Sequence, residues 1–380
     1  MMRKQKTLKH ALLMTCIQLL VLASCKTASP GHQEQPGQSL LISPEPEAAL
    51  NTSVIEIDEF GDAVLEARQT DFSYGDSVSI VFSGGYSISE IPFYPDFFGK
   101  INDVIMCDYY DDHLVIGGIS FDFCEAENIK AGERVTITLD ERGKYLDLFH
   151  AYNIGSADDG WEGQSEDQFI NARPLTGGSI REGIVYRSAS PFVGTKTELA
   201  GKYLEKHQIR CVLDLADTEE ELSQCEALPD YTENLIQSGS VICLPLGIDF
   251  TDEETYSTIN RGIHEMLSHE GPYLIQCQLG RDRTAILASL FQGLCGAEYE
   301  EIVNDYMLSY YNLYHINMDP SSLQYSLFKD KLVGQLKDMY GMEEEQLEKA
   351  NYEILARGYF TKCGLANEEI DRLRNLLEGK

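Results

Sequence analysis

The sequence predicts an α/β domain with a mainly parallel central sheet flanked by helices, preceded by a small all-β domain. Three observations carry this reading. In the second half of the chain, near-continuous apolar runs of strand length alternate with amphipathic segments of helix length, the pattern of a covered parallel sheet. Before them, short apolar runs are broken by Gly, Asp and Pro, the pattern of a small β module. A Gly/Asp/Ser-rich joint, Gly155 to Glu166, separates the two regions. The chain beyond its N-terminal tract, about 330 residues, exceeds what one core usually encloses, so two domains are expected.

The first residues run from a basic stretch (Arg3, Lys4, Lys6, Lys9) into an apolar run, Ala11 to Ala23, and reach Leu22-Ala23-Ser24-Cys25. That order is an export signal. A cysteine directly after small residues resembles the lipobox of bacterial lipoproteins, whose cysteine carries diacylglycerol after cleavage. Residues 1–25 are read as a lipoprotein signal peptide and 26–51, with Pro30, Pro36, Pro44 and Pro46, as a flexible tether. The expected address is the cell envelope, lipid-anchored at Cys25 on the outer face of the membrane, with no other membrane contact. No later segment is long and apolar enough to span a bilayer.

Residues 52–154 are assigned to the β domain, a barrel or a sandwich, from runs such as Ser77 to Phe82, His113 to Ile116 and Arg134 to Leu139. Nothing there has the spacing of a catalytic site. The acidic, aromatic stretch Cys107 to Asp112 reads as a solvated strand edge. Residues 155–168 read as an acidic linker, with Trp161 placed in it. Residues 169–380 form the α/β domain, with strands at Gly183–Arg187, Arg210–Leu215, Val241–Leu244 and Pro272–Cys277. Helices fit Lys196–His207, Thr218–Glu226, Glu253–Ser268 and Thr284–Gly293. After Gly296 the pattern is helical, near Tyr299–Tyr311, Ser322–Met339, Glu343–Ala356 and Asn367–Leu377.

A net charge of −32 disfavours nucleic acid as a partner and requires any phosphate site to be locally cationic. The cysteines beyond Cys25 form no CxxC pairs, and several lie in apolar runs where cysteine behaves as a small hydrophobe. The histidines show no paired metal spacing. No metal and no cofactor is expected.

The chemistry concentrates in Cys277-Gln278-Leu279-Gly280-Arg281-Asp282-Arg283-Thr284. A strand ending in Cys277, a tight loop closing on Arg283 and a helix starting at Thr284 describe a site for a phosphoryl dianion. Loop N–H groups at a helix N-terminus favour an anion. Gly280 permits a close backbone approach, and Arg283 supplies a bidentate fork for two phosphoryl oxygens. The same field favours the thiolate of Cys277, which attacks phosphorus, and Thr284 donates to the sulfur as it departs. Gln278, Leu279, Gly280 and Arg281 line the substrate.

The proton donor to the leaving group is open between Asp282, in the loop itself, and Asp249, one helix and one strand upstream, with Asp252 a weaker third choice. Asp214 could also face the site from its strand end, although an aspartate there more often caps the following helix. A serine hydrolase is disfavoured by the lack of a Gly-x-Ser-x-Gly elbow.

These residues resemble the tyrosine-phosphatase-like superfamily, within it the bacterial group of protein-tyrosine and dual-specificity phosphatases with a His-Cys-x-x-Gly-Lys-Asp-Arg-Thr loop. Asn171-Ala172-Arg173, Gly177-Gly178, Gly183 to Ala189, Val212 to Leu215 and Asp305-Tyr306 occur in the order that family shows. The resemblance covers about Phe169 to Leu377. It implies a phosphocysteine mechanism with Cys277 as nucleophile, Arg283 as clamp and Asp282 as acid or base. Arg281 takes the place of the family's loop lysine. The substrates it implies are phosphotyrosine or phosphoserine proteins, phosphoinositides or inositol phosphates. Three positions depart: Gln276 stands for the usual histidine, Ala216 for an arginine and Ala172 for an aromatic residue. A phosphate-binding lipoprotein without turnover, or a scaffold built on the β module, are the alternatives from other classes.

Overall fold

The computed structural model describes residues 49–380 except 69, 101, 111, 112, 120 and 248. The lipobox at Cys25 and most of the tether lie outside the described residues. The chain divides into two compact units, Met1–Asn153 and Ile154–Lys380.

The first unit is a closed barrel. Its strands are β1 (Ala49–Ile57), β2 (Ala63–Leu65), β3 (Ser77–Phe82), β4 (Ser87–Tyr94), β5 (Val104–Tyr110), β6 (His113–Gly118) and β7 (Arg134–Glu141), in the order β1-β2-β6-β5-β4-β3-β7. Antiparallel pairing of β7 with β1 closes the ring, and β4 beside β5 is a parallel step. Alternation supplies the interior: Val78, Ile80 and Phe82 on β3 and Val135 and Ile137 on β7 point into one buried cluster. Two short helices, α1 (Phe123–Glu127) and α2 (Leu146–Tyr152), cap this unit, so the expected all-β domain carries helix as well. The stretch from Cys107 is no sheet edge either: β5 is paired on both sides, and Cys107 is buried. Closure leaves the barrel without an edge to solvate.

The second unit begins with α3 (Glu166–Phe169), β8 (Arg173–Pro174), β9 (Val185–Ser188), α4 (Thr197–Lys206) and β10 (Cys211–Asp214). It continues through α5 (Glu219–Ser223), α6 (Asp230–Gln237), β11 (Val241–Cys243), α7 (Glu253–Met266), β12 (Tyr273–Gln276) and α8 (Asp282–Leu294). Five helices finish it: α9 (Tyr299–Tyr314), α10 (Leu323–Tyr340), α11 (Glu344–Leu347), α12 (Tyr352–Lys362) and α13 (Asn367–Leu377). The sheet runs β11-β10-β12-β9-β8, with four parallel strands and β8 antiparallel at one edge, so it is mixed rather than purely parallel. The strand β8 was not legible in the sequence because two residues containing a proline carry no periodicity.

Every residue of α8 from Thr284 to Leu294 is buried. A helix apolar on all sides must run through the middle of a unit, and each fully buried Leu or Phe contributes about 1.5–3 kcal/mol. The predicted helix Glu343–Ala356 is two helices, because Asn351 caps a new start: its side chain accepts from Ile354 N. The stretch read as a linker is built into this unit. Trp161 stacks on His315 at 4.3 Å, and its indole N–H donates to the Asn312 carbonyl at 3.1 Å.

Candidate active site

The parallel strands all end on one side. Ser188, Asp214, Cys243 and Gln276 are their last residues, and Gln276 is in register with both Asp214 and Ser188. The crevice beyond the carboxyl ends of such strands is where α/β sheets bind ligands. The Cys277 loop fills it and leads into α8.

The loop is held from outside by its carbonyls. Asn171 Nδ2 donates to Leu279 O (3.1 Å) and Gly280 O (2.9 Å), Arg187 Nη2 to Gly280 O (2.8 Å) and Arg281 O (3.3 Å), and Ser190 N to Gln278 O (3.2 Å). A trans peptide places each C=O opposite the following N–H. Carbonyls tied to the scaffold therefore turn the amides of Leu279, Arg281 and Asp282 toward the hollow of the loop. Gly280 makes the turn possible. Its φ is +61°, and a Cβ there would stand 2.1 Å from Ser188 O.

Beneath the loop lies a buried ionic network. Asp305 on α9 pairs with Arg173 (Nε to Oδ1, 2.8 Å) and with Arg187, which is fully buried. Burial opposes the charge on Asp305, but the two guanidiniums hold its carboxyl below the usual range. Arg173 also donates to Asn171 Oδ1 (2.7 Å) and Ser309 Oγ (2.9 Å). The motif residues Asn171, Arg173, Arg187 and Asp305 are thus one scaffold that sets the loop.

Cys277 is buried at the base of the loop. Arg283 donates to Leu215 O (2.9 Å) and Leu246 O (3.3 Å) and forms no ion pair among the described residues, so the clamp keeps its charge uncompensated. Thr284 Oγ1 is buried without a partner. Burial pushes the thiols of Cys124, Cys211, Cys243, Cys295 and Cys363 up to about 12, which leaves them inert.

Asp282 opens α8 with its side chain 49% exposed. Desolvation by the crowded walls raises its carboxyl, but Arg281, Lys331 and a hydrogen bond from Tyr306 Oη (3.2 Å) outweigh it and hold the group below its ordinary value. Asp282 is therefore a carboxylate at rest. Arg281 grips it, donates to Tyr314 Oη (2.7 Å) and lies over the Tyr310 ring at 4.7 Å. The other acid candidate, Asp249, is exposed, and its carboxylate accepts from Thr251 N (2.8 Å) and Oγ1 (2.7 Å). No hydrogen bond or ion pair joins it to the loop among the described residues. Asp252 caps α7, accepting from Thr255 N at 2.7 Å.

Asp214 does not cap the following helix, whose cap is Thr218; it holds the turn before it, accepting from Ala216 N (2.9 Å) and Asp217 N (3.1 Å) through one oxygen. Its other oxygen and Asp217 Oδ2 are buried without donors. Desolvation and then the Asp217 charge push the Asp214 carboxyl well up, and desolvation pushes Asp217 up too, with Arg283 opposing it. Gln276 is fully buried with both amide atoms unpartnered. Sequence reasoning missed Asp217, Tyr306 as a carboxylate donor, and Lys331; the first two sit within or next to quoted motifs, whereas nothing local marks the third.

A family model for the tyrosine phosphatase family matches residues 170–378. No curated protein matches the chain. Among solved structures, P. aeruginosa TpbA is 19% identical, over 56% of this chain and 92% of that one, with a TM-score of 0.23. The core catalytic domain of the PP-IP phosphatase SIW14 from S. cerevisiae, in complex with citrate, is 16% identical over 42% of this chain and 96% of that one, at 0.24. An uncharacterized conserved protein from Thermotoga maritima is 15% identical over 23% of this chain, which spans 35% of that protein, at 0.22. With residues 170–378, more than half of the sequence, matched by the family model, this chain belongs to the tyrosine phosphatase family.

Proposed function

We propose that the protein is a metal-independent phosphomonoester hydrolase working through a phosphocysteine intermediate, held at the cell envelope by a lipid on Cys25. Its substrates are phosphotyrosine or phosphoserine proteins, phosphoinositides or inositol phosphates. The observation that carries the reading is the loop itself: the carbonyls of Gln278, Leu279, Gly280 and Arg281 are bonded to the scaffold outside it, and Arg283, which forms no ion pair among the described residues, closes it. Such a hollow stabilises the spread charge of a phosphoryl group in flight.

The Cys277 thiolate attacks phosphorus, the bond to the bridging oxygen breaks, and the departing oxygen takes a proton. Water then attacks the phosphocysteine and the sulfur leaves as a thiolate, to which Thr284 Oγ1, buried without another partner, donates. Asp282 as a resting carboxylate suits the second step, drawing a proton from that water. For the first step it must be protonated, which the negative charge of a docked phosphoryl group favours. Asp249 serves only if its loop leaves the Thr251 turn.

The test is hydrolysis of a chromogenic aryl phosphate by the purified protein with EDTA and reductant, beside Cys277→Ser. Turnover that disappears in the variant and falls with vanadate is the expected result. Gln276, with its unpartnered amide in place of histidine, favours a second reading, a phosphate-binding lipoprotein. Saturable phosphate binding without turnover by the wild type would select it.

A further inference from the structure

The helix α10 carries three lysines, Lys329, Lys331 and Lys337, and Lys331 lies three residues after Phe328. Lys329 pairs with Glu344 at 2.7 Å and Lys337 with Glu343 at 2.6 Å, both on the following segment. Lys331 is exposed and pairs with no carboxylate among the described residues.

Its position is set by an aromatic shelf. The ammonium lies 5.6 Å from the centre of the Phe328 ring, Phe328 stacks on Tyr310 at 4.4 Å, and Tyr310 carries the Arg281 guanidinium at 4.7 Å. Lys331 and Arg281 are thus joined through two stacked, buried rings, Phe328 and Tyr310. Their charges reach each other: desolvation and then Arg281 lower the Lys331 ammonium to about 8, while Lys331 helps hold Asp282 ionised. A cation placed so is stabilised by the arrival of an anion and has no internal partner to give up.

We propose that Lys331 is a specificity-determining residue that binds a second anionic group of the substrate, so that the site prefers phosphoesters bearing two phosphates over those bearing one. This rests on the hydrolase reading above. Phosphate held by the loop is common to every substrate, whereas the second phosphate is read from the rim.

The experiment compares resorcinol monophosphate with resorcinol bisphosphate, which differ only in the second phosphate, on the wild type, Lys331→Gln and Lys331→Arg. The expected result is a fall of about tenfold in the bisphosphate-to-monophosphate ratio of kcat/KM for Lys331→Gln, with partial recovery in Lys331→Arg. An unchanged ratio, or equal losses on both compounds, would overturn the proposal. If the wild type turns over neither compound, the hydrolase reading fails on its own. Calorimetric binding of the same pair to Cys277→Ser and to its Lys331→Gln double variant then decides the subsite by the same ratio. Soluble inositol bisphosphate and the same headgroup in phosphatidylcholine vesicles assign the source of the second phosphate; loss of selectivity in Lys331→Gln on neither would also overturn it.

Discussion

Asp305→Asn isolates what the network beneath the loop contributes. The substitution keeps the shape of the side chain and removes the single negative charge shared by Arg173 and Arg187. Breaking a buried pair by removing one partner costs about 3–5 kcal/mol, because the other charge stays buried. Here the remaining donors are partly satisfied: Arg187 keeps Gly280 O and Arg173 keeps Asn171 Oδ1, and Asp305 itself is 13% exposed. The lower end, about 3 kcal/mol, is therefore expected. The chain has one tryptophan, Trp161, and it lies in the second unit, so a urea titration followed by its emission reports that unit alone. The pH dependence follows from the lowered carboxyl of Asp305. A depressed folded value gives stability that is present above the unfolded value of about 4 and lost as pH falls through the folded one. The gap between wild type and variant should stay level from about pH 5 to 8 and narrow only in stronger acid. A loss under about 1 kcal/mol at neutral pH would refute the network's role in setting the loop.

Three further outcomes are expected. Gly280→Ala should lower kcat/KM at least about a hundredfold, since a Cβ would meet Ser188 O at 2.1 Å and force the loop open; an active, well-folded variant would show that the loop is not held as described. Tyr306→Phe removes a hydrogen bond to the Asp282 carboxylate, so the acid limb of the pH–rate profile should move up by about half a unit to one unit, and an unmoved limb would take Asp282 out of the rate-limiting chemistry. Gln276→Met replaces two unpartnered buried polar atoms with a similar shape and should stabilise the second unit by about 1 kcal/mol in the same urea titration; a comparable loss would mean that the amide is hydrogen-bonded in solution.

Much of this site was legible because the loop is local. Cysteine, glycine and arginine at fixed spacing, a strand before and a helix after, are all written within one short stretch, and the observed β12 and α8 flank it as expected. What the sequence could not convey are partners distant in the chain. Asn171 and Arg187 reach the loop from more than ninety residues away, and their motif gave an order but no contact. Lys331 looked like one more lysine on an amphipathic helix, and only the stacking of Phe328 on Tyr310 places it beside Arg281. The barrel was half legible for the opposite reason. Alternation located β3 and β7, but closure depends on pairing between the first and last strands, which period alone does not reveal.

The distribution of cations makes one argument of these pieces. A chain with a net charge of −32 repels a phosphate dianion at long range, so the site must reverse that field over a short distance. It does so with five basic residues in two tiers. Arg173 and Arg187 are neutralised by Asp305 and fix the backbone, contributing geometry rather than attraction. Arg281 is held in check by Asp282, whereas Arg283 and Lys331 form no ion pair among the described residues, although Asp217 and Asp282 lie near enough to act on them. In the proposed reaction a bound phosphoryl group would compete with Asp282 for Arg281 and so release the carboxylate that the second step uses. Attraction and proton chemistry are then linked through one guanidinium, which explains why arginine can stand where the family carries lysine: a planar fork can hold a carboxylate and a tyrosine hydroxyl together, as Arg281 does.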